Sequence, residues 1–411
     1  MIFPLMSEKV GLVSPASTTI NTLPNLPPRP ITCSNRSPFQ DLVGTKLNQW
    51  SLSNHIFPAA YPRTLKGSSL PNQPNLSSTK LIRSEDRNQM AHMVYEANRT
   101  SPRLNHTMKV DQVDEQQLYV SVNRYFRTIS TSSTHSNQGL TLILSHANGL
   151  HKETWEPMLS YLLQSPQSDL IHEIWSLDCI NQGDSAILNQ DSLGERFYWA
   201  DTSRDLLQFI ISYLPESQTT THEPKDLPRM LSQQVLPNPS ILNLSRTPSP
   251  TKPMKWRDRK ICLIGHSLGG FASAITMTTK PELIHSMILI DPVINPALRT
   301  DQETETILKY RTSLSVHRRS KWNTYEKLKT LLRSNQDFKP LIAYIFADEN
   351  RSVLDENHLR YYIDEINSQG LKVVRIMGTG HLVVQEVPEK LAGQIALILK
   401  EFNHDSIRYK L

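Results

Sequence analysis

A serine set between glycines is the strongest sign of chemistry in this chain. The motif GHSLG at residues 265–269 follows the apolar run Lys260–Ile264 and precedes a stretch rich in small residues. Small residues two positions before and after a serine permit a sharp turn from a strand into a helix, which exposes the hydroxyl at the positive end of that helix. The pattern predicts that Ser267 is a nucleophile.

A histidine suited to act as a base occurs more than a hundred positions later. His381 lies between the apolar run Lys372–Ile376 and the last predicted helix, and Gly378 and Gly380 give its loop the freedom to reach over a sheet edge. A histidine within hydrogen-bond reach of a serine can take the hydroxyl proton during attack and return a proton to the leaving group. We therefore predict that His381 is the general acid and base for Ser267.

A carboxylate is expected to orient the imidazole, and two turns offer one. Asp291 follows the apolar run Met287–Ile290, whereas Asp348 and Glu349 follow the run Leu341–Phe346. Both turns end a predicted strand, so the residues alone leave both alternatives open.

Backbone donors for an oxyanion are predicted in the turn Ser145–Gly149, which directly follows the apolar run Thr141–Leu144. The N–H groups of Asn148 and Leu268 are the expected pair, since such donors stabilise the negative charge that develops on a carbonyl oxygen. The segment Asp178–Ser185, which follows the next strand, is interpreted as structural.

Strand and helix patterns alternate along the chain from about residue 106. Residues 117–124 alternate apolar and polar side chains, as an edge or antiparallel strand does. Helical spacing follows Trp199, Leu354 and Pro388. Short apolar runs separated by such helices predict a mostly parallel sheet with helices on both faces. Buried strands are predicted at Thr141–Leu144, Ile171–Leu177, Lys260–Ile264, Met287–Ile290, Leu341–Phe346 and Lys372–Ile376.

Proline is concentrated in two stretches that we interpret as lying outside the core. Twelve of the 27 prolines fall in residues 1–105 and eight in residues 215–253. The resulting division is a disordered basic extension (1–105), an α/β domain (106–402) with a low-complexity surface insertion (215–256) and a small helical cap (296–338), and a tail (403–411).

Composition excludes several classes of protein. Three widely spaced cysteines, Cys33, Cys179 and Cys262, give neither a disulfide framework nor a zinc cluster. No apolar run is long enough to span a bilayer, and the first residues lack the features of a cleaved secretory signal. Residues 1–105 carry 11 Lys and Arg against 5 Asp and Glu, but without aromatic clustering, so a solvated tail is favoured over nucleic-acid binding.

These elements together resemble the α/β-hydrolase superfamily over about residues 106–402, most specifically at GHSLGG and GTGH. SHANGLHKETWEPM, LIDPV after the serine motif, and HRRSKW in the predicted cap are similar to a fungal branch of peroxisomal lipase-like and toxin-biosynthesis hydrolases. Where the superfamily commonly has G-x-x-D, this chain has FADENRS. The resemblance implies an α/β-hydrolase fold and a serine esterase or lipase that acts on small acyl substrates or lipids without a cofactor or metal.

The last residues, Tyr409-Lys410-Leu411, share Lys-Leu with the peroxisomal address S-K-L. Together with the resemblance, they predict a peroxisomal protein bound by the import receptor, with a cytoplasmic location as the alternative. The predicted cap has 9 Lys and Arg against 5 Asp and Glu between Arg299 and Asp337, which suits either acidic substrates or a solvated face.

Two other functions remain open at this point, because a fold does not fix an activity. One is an acyltransferase or lyase on the same scaffold. The other is a binding protein that keeps the pocket and has lost turnover.

Overall fold

The main sheet has six strands, and the four consecutive strands that extend from its middle to one edge are parallel. The computed structural model describes residues 46–64, 67–69, 116–127, 139–194, 197–215, 227–233, 259–293, 345–346, 374–376, 379 and 381–403, with positions 89, 92 and 96. The strands are β1 (Trp50–Pro58), β2 (Tyr119–Arg127), β3 (Leu140–Ser145), β4 (Ile171–Leu177), β5 (Lys260–His266) and β6 (Ser286–Ile290). Their order is β1-β2-β4-β3-β5-β6, in which β1, β2 and β4 pair antiparallel and the rest pair parallel. A separate parallel pair comprises β7 (Ile345–Phe346) and β8 (Val374–Arg375).

Six α-helices are described. They are α1 (Glu156–Leu162), α2 (Gly183–Leu188), α3 (Trp199–Gln208), α4 (Leu268–Thr279), α5 (Val383–Glu386) and α6 (Pro388–Asn403). A π-helical turn, Phe209–Tyr213, continues α3, and short 3-10 turns cover Lys46–Gln49, Lys152–Trp155, Pro166–Leu170 and Pro281–Leu283.

Both faces of the parallel strands are apolar and covered by helices. On β3, Leu142 and Leu144 pack with α1 and α6 on one face, whereas Ile143 packs with α3 and its π-helical turn on the other. On β5, Cys262 and Ile264 point to the first face, and alternate residues point to the second. Continuous apolar runs are what a sheet buried on both sides requires. The predicted α/β class with a mostly parallel, doubly covered sheet is confirmed.

The folded part begins earlier in the chain than the predicted boundary near residue 106. Instead of disorder throughout residues 1–105, the structure has β1 pairing with β2 over nine residues, from Trp50 opposite Arg127 to Pro58 opposite Tyr119. Trp50 and Phe57 are buried. The prediction relied on the density of prolines in the whole stretch. A strand of nine residues changes that density little, so the apolar strand was missed.

Buried ion pairs fix the chain after β1. Arg63 donates to the Asp205 carboxylate at 2.6 Å, and the Ala60 N–H donates to the same carboxylate at 2.8 Å. Thr64 bonds to Asp201 through its N–H and hydroxyl groups. Both aspartates lie on α3, so this stretch of the predicted extension is part of the folded domain.

Part of the predicted surface insertion also pairs with β1. The Ile56 N–H donates to Arg229 O at 2.7 Å, and the Leu231 N–H donates to Ile56 O at 2.9 Å. Leu231 is buried among the apolar residues of β1, β2 and α3. Residues 229–231 therefore cover the edge of β1, which the surface-loop prediction did not include.

The remaining predicted segments lie outside the described residues. They are residues 296–338, most of 215–256, most of 1–105, and 404–411. Of the helices that the structure does describe, none combines the length and apolarity needed to cross a bilayer.

Candidate active site

The turn at Ser267 is as sharp as its sequence predicts. Ser267 lies between β5 and α4 with φ 54° and ψ −111°, a conformation that residues other than glycine rarely adopt. The Ser267 N–H donates to Ile290 O at 2.9 Å, and Val293 N–H donates to Ser267 O at 3.1 Å. These bonds to the end of β6 hold the strained backbone in place, as strained functional residues require.

His381 lies in contact with both Ser267 and Asp291. His381 Nε2 is 3.0 Å from Ser267 Oγ, and His381 Nδ1 contacts a carboxylate oxygen of Asp291. A carboxylate only accepts, so Nδ1 carries the proton and Nε2 accepts from the serine hydroxyl. A hydroxyl, an imidazole and a carboxylate in this order can move a proton from the oxygen to the ring while the carboxylate offsets the new charge.

Asp291 follows β6 directly and is buried. Its φ of 37° is in the left-handed region, which aspartate tolerates better than most residues. This turn, one of the two left open by the sequence, reaches the imidazole. Asp348 and Glu349 lie outside the described residues.

The predicted oxyanion turn stands beside the start of α4. The Gly269 N–H donates to His146 O at 3.2 Å, which joins the turn after β3 to the first turn of α4. The Gln182 amide donates to Asn148 Oδ1 at 2.7 Å and accepts from the Gly149 N–H at 2.6 Å. Leu268 is the first residue of α4, so its N–H has no carbonyl partner within the helix.

A buried lysine forms ion pairs next to this turn. Lys152 Nζ lies 3.0 Å from Asp178 and 2.6 Å from Asp184, and Lys152 N–H donates to Asp178 at 2.8 Å. Burial alone would lower the pKa of the Lys152 ammonium, but the charges of Asp178, Glu153 and Asp184 outweigh it and raise the pKa above its usual range. The ammonium therefore stays charged, and it ties the chain after the turn to the end of β4.

Two buried histidines flank the site. The Cys179 N–H donates to His146 Nε2 at 3.1 Å, so His146 Nδ1 carries the proton and bonds to Ala147 O. His266 Nε2 lies 2.6 Å from the His381 carbonyl oxygen. Burial lowers the pKa of both rings, that of His266 to about 3, with the charge of His381 as a second cause there. Both rings are therefore neutral near pH 7.

The comparison with protein families decides the classification. The model of the alpha/beta hydrolase family matches residues 142–394, which is more than half of the chain. The chain belongs to this family. The match spans Asn148, Ser267, Asp291 and His381, so the whole candidate site lies inside the family region of this alpha/beta hydrolase.

Curated relatives of this alpha/beta hydrolase are fungal. Over 179 residues it is 28% identical to the peroxisomal membrane protein LPX1 of Saccharomyces cerevisiae. This alignment covers 43% of this chain and 35% of the relative. Over 155 residues it is 28% identical to the type I acyl-CoA thioesterase mpaH of Penicillium roqueforti, covering 38% and 27%. The matches thus span about a third or less of the length of these relatives.

Among solved structures, the chain aligns with the peroxisomal alpha-beta-hydrolase Lpx1 of Saccharomyces cerevisiae. It aligns with a TM-score of 0.45 at 17% identity, covering 86% of this chain and 90% of that one.

Three side chains around the site of this alpha/beta hydrolase were not among the residues predicted to be functional. His266 occupies the variable position of the serine motif, and Gln182 lies in the segment interpreted as structural. Lys152 lies in the segment after the oxyanion turn. Their contacts join residues between 26 and 115 positions apart, so no local pattern marks them. Among the described residues, no cluster of three or more His, Cys, Asp or Glu side chains is arranged to hold a metal ion.

We expect Gly269→Ala to damage both the fold and the site of this alpha/beta hydrolase. A Cβ at residue 269 would lie well inside contact distance of the Ser145 backbone carbonyl, which cannot swing away as a side-chain end can. Overpacking of this kind costs about 3 kcal/mol of unfolding free energy, and displacing a predicted oxyanion donor should slow the reaction at Ser267 by about 10²-fold. Chemical denaturation and the rate of reaction with a fluorophosphonate measure the two effects.

Gly393→Ala is the matched control. Gly393 lies on α6, and a Cβ there would meet no atom within 4 Å. Alanine in an exposed helix interior is favoured by about 0.5–1 kcal/mol over glycine, so this variant should be slightly more stable and fully reactive. Equal stability of the two variants would contradict the close approach of Ser145 to α4.

Proposed function

We propose that this alpha/beta hydrolase is a serine hydrolase that cleaves acyl esters or thioesters through an acyl-enzyme on Ser267. The observation that carries the proposal is the 3.0 Å separation between His381 Nε2 and Ser267 Oγ, with His381 Nδ1 held by Asp291. About a third of the His381 side chain is exposed, which leaves the ring accessible to a substrate.

In the first half of the reaction, Ser267 Oγ attacks the acyl carbonyl carbon while His381 Nε2 takes the hydroxyl proton. Asp291 stabilises the imidazolium that forms. The carbonyl oxygen becomes an oxyanion, for which the N–H groups of Asn148 and Leu268 are the proposed donors. Collapse of the tetrahedral intermediate breaks the bond to the alcohol or thiol, which leaves with the proton from His381.

In the second half, a water molecule attacks the acyl group on Ser267. His381 takes a proton from this water and returns it to Ser267 Oγ as the ester bond breaks. The products are a carboxylic acid and the free enzyme, so all atoms are accounted for without a cofactor.

The substrate class and the location are supported by the names of relatives. The Penicillium relatives are named acyl-CoA thioesterases, which supports thioesters as candidate substrates in addition to oxygen esters. The yeast relative is named as a peroxisomal protein, and we propose the same compartment for this chain.

Labelling with a fluorophosphonate tests the proposed chemistry. Such reagents phosphonylate a serine only when a neighbouring base activates it. We expect one phosphonyl group per chain, located on Ser267 by peptide mass spectrometry, and competition by 4-nitrophenyl butyrate and by a short-chain acyl-CoA if these are substrates. An unlabelled folded protein would contradict the serine mechanism and favour the non-catalytic binding protein.

A further inference from the structure

His266 has a contact that the proposed reaction does not use. It is the last residue of β5, it is buried, and its Nε2 lies 2.6 Å from the backbone carbonyl oxygen of His381. A carbonyl oxygen only accepts hydrogen bonds, so Nε2 of His266 must be the donor. The nucleophile strand is thereby joined to the backbone of the residue that carries the base.

The sequence before His381 favours such a support. Gly378 and Gly380 precede the histidine in sequence, and glycines lower the cost of alternative backbone conformations. The imidazole contacts Ser267 and Asp291 with its ring nitrogens, and these contacts do not act on the backbone of residue 381 directly. The bond from His266 is the contact among the described residues that fixes the carbonyl of His381 itself.

We propose that His266 is a positioning residue, which holds the backbone of His381 so that the imidazole meets Ser267 and Asp291 together. This inference rests on the proposed function. A displacement of about 1 Å in a catalytic group can cost 10²-fold in rate, so a single bond at this point has a large effect on turnover. We do not expect His266 to contact the substrate, because the residue is buried.

The neutral state of His266 suits this role. Burial and the neighbouring His381 keep the pKa of His266 near 3, so the ring does not gain a second proton in the range where esters are hydrolysed. A neutral ring with the proton on Nε2 donates to the carbonyl at every working pH. The ring of His266 also lies 5.3 Å from that of His381, centroid to centroid, which keeps the two rings in packing contact.

A matched pair of variants tests the hydrogen bond apart from the packing. His266→Gln keeps a donor near the place of Nε2, whereas His266→Met has a similar shape and no donor. With 4-nitrophenyl butyrate we expect kcat of the methionine variant to fall by about tenfold or more with KM within about twofold, and the glutamine variant to recover most of the loss. A folded methionine variant with normal kcat, or equal losses in both variants, would overturn the proposal.

A measurement on the unchanged protein keeps the test decisive if a variant fails to fold. The ¹⁵N chemical shifts of a histidine ring report which nitrogen carries the proton. We expect the His266 signal to show a neutral ring protonated on Nε2 from pH 5 to pH 8. A ring protonated on Nδ1 would exclude the bond to His381 O. Failure of the proposed function is distinct, because then the unchanged protein would not react with fluorophosphonate while the His266 tautomer would remain as predicted.

Discussion

Ser267→Ala is expected to lower kcat for 4-nitrophenyl butyrate by about 10⁵- to 10⁶-fold, because the variant has no oxygen to form the acyl-enzyme. His381 and Asp291 cannot substitute for the lost oxygen, since they act only by moving and stabilising its proton. Some acceleration over water should remain, as the oxyanion donors stay in place. Stopped assays with product detection by mass spectrometry have the required range.

Ser203→Ala is the control for this loss. Ser203 is a buried serine on α3, and its hydroxyl has no hydrogen-bond partner in the described part of the chain. Removal of an unbonded hydroxyl should leave kcat within about twofold of the value for the unchanged protein. The free energy of unfolding should stay within about 0.5 kcal/mol. If Ser267→Ala retained more than a hundredth of the activity, another nucleophile would be responsible.

The sharp turn at Ser267, the proposed nucleophile, could be predicted from sequence because such a turn imposes local demands. A serine at φ 54° between a strand and a helix needs small neighbours, and Gly265 and Gly269 meet that need within five residues. The strand β4 was predicted at the residues where it occurs, Ile171–Leu177, because four of its seven residues, Ile171, Ile174, Trp175 and Leu177, are apolar.

The choice of acid could not be made from sequence. Asp291 and Asp348 each follow a predicted strand of a parallel sheet, so the sequence predicts both turns at the same sheet edge. Which carboxylate meets the imidazole depends on how far each turn extends over β5, and that distance is set by tertiary packing. In the structure the turn after β6 is bonded to Ser267 on both sides, through Ile290 O and Val293 N–H, which brings Asp291 to His381.

The first strand and the edge pairing were missed for a different reason. Proline density over a hundred residues favours disorder on average, but β1 needs only nine residues and a partner. That partner, β2, lies more than sixty positions away, and residues 229–231 on the other edge come from a segment that is even richer in proline. Local composition cannot predict contacts between residues that lie so far apart in the chain.

Asp291→Asn is expected to lower kcat on the order of 10⁴-fold with KM almost unchanged. The asparagine amide would donate to His381 Nδ1, which moves the ring proton to Nε2, and a protonated Nε2 cannot accept the proton of Ser267. Asparagine tolerates the left-handed backbone of residue 291, where φ is 37°, as well as aspartate does. Most of the loss should therefore come from the wrong tautomer and the missing charge.

Asp348→Asn and Glu349→Gln complete the experiment, since these carboxylates are the alternative acid. Each should keep kcat within about twofold, because the Asp291 carboxylate already contacts His381 Nδ1. The rate of fluorophosphonate labelling gives a second readout that does not depend on the substrate, and it should fall only in Asp291→Asn. A large loss in Asp348→Asn with a normal rate in Asp291→Asn would transfer the acid to the turn after β7. Equal partial losses in both would mean that the two carboxylates share the charge of the imidazolium.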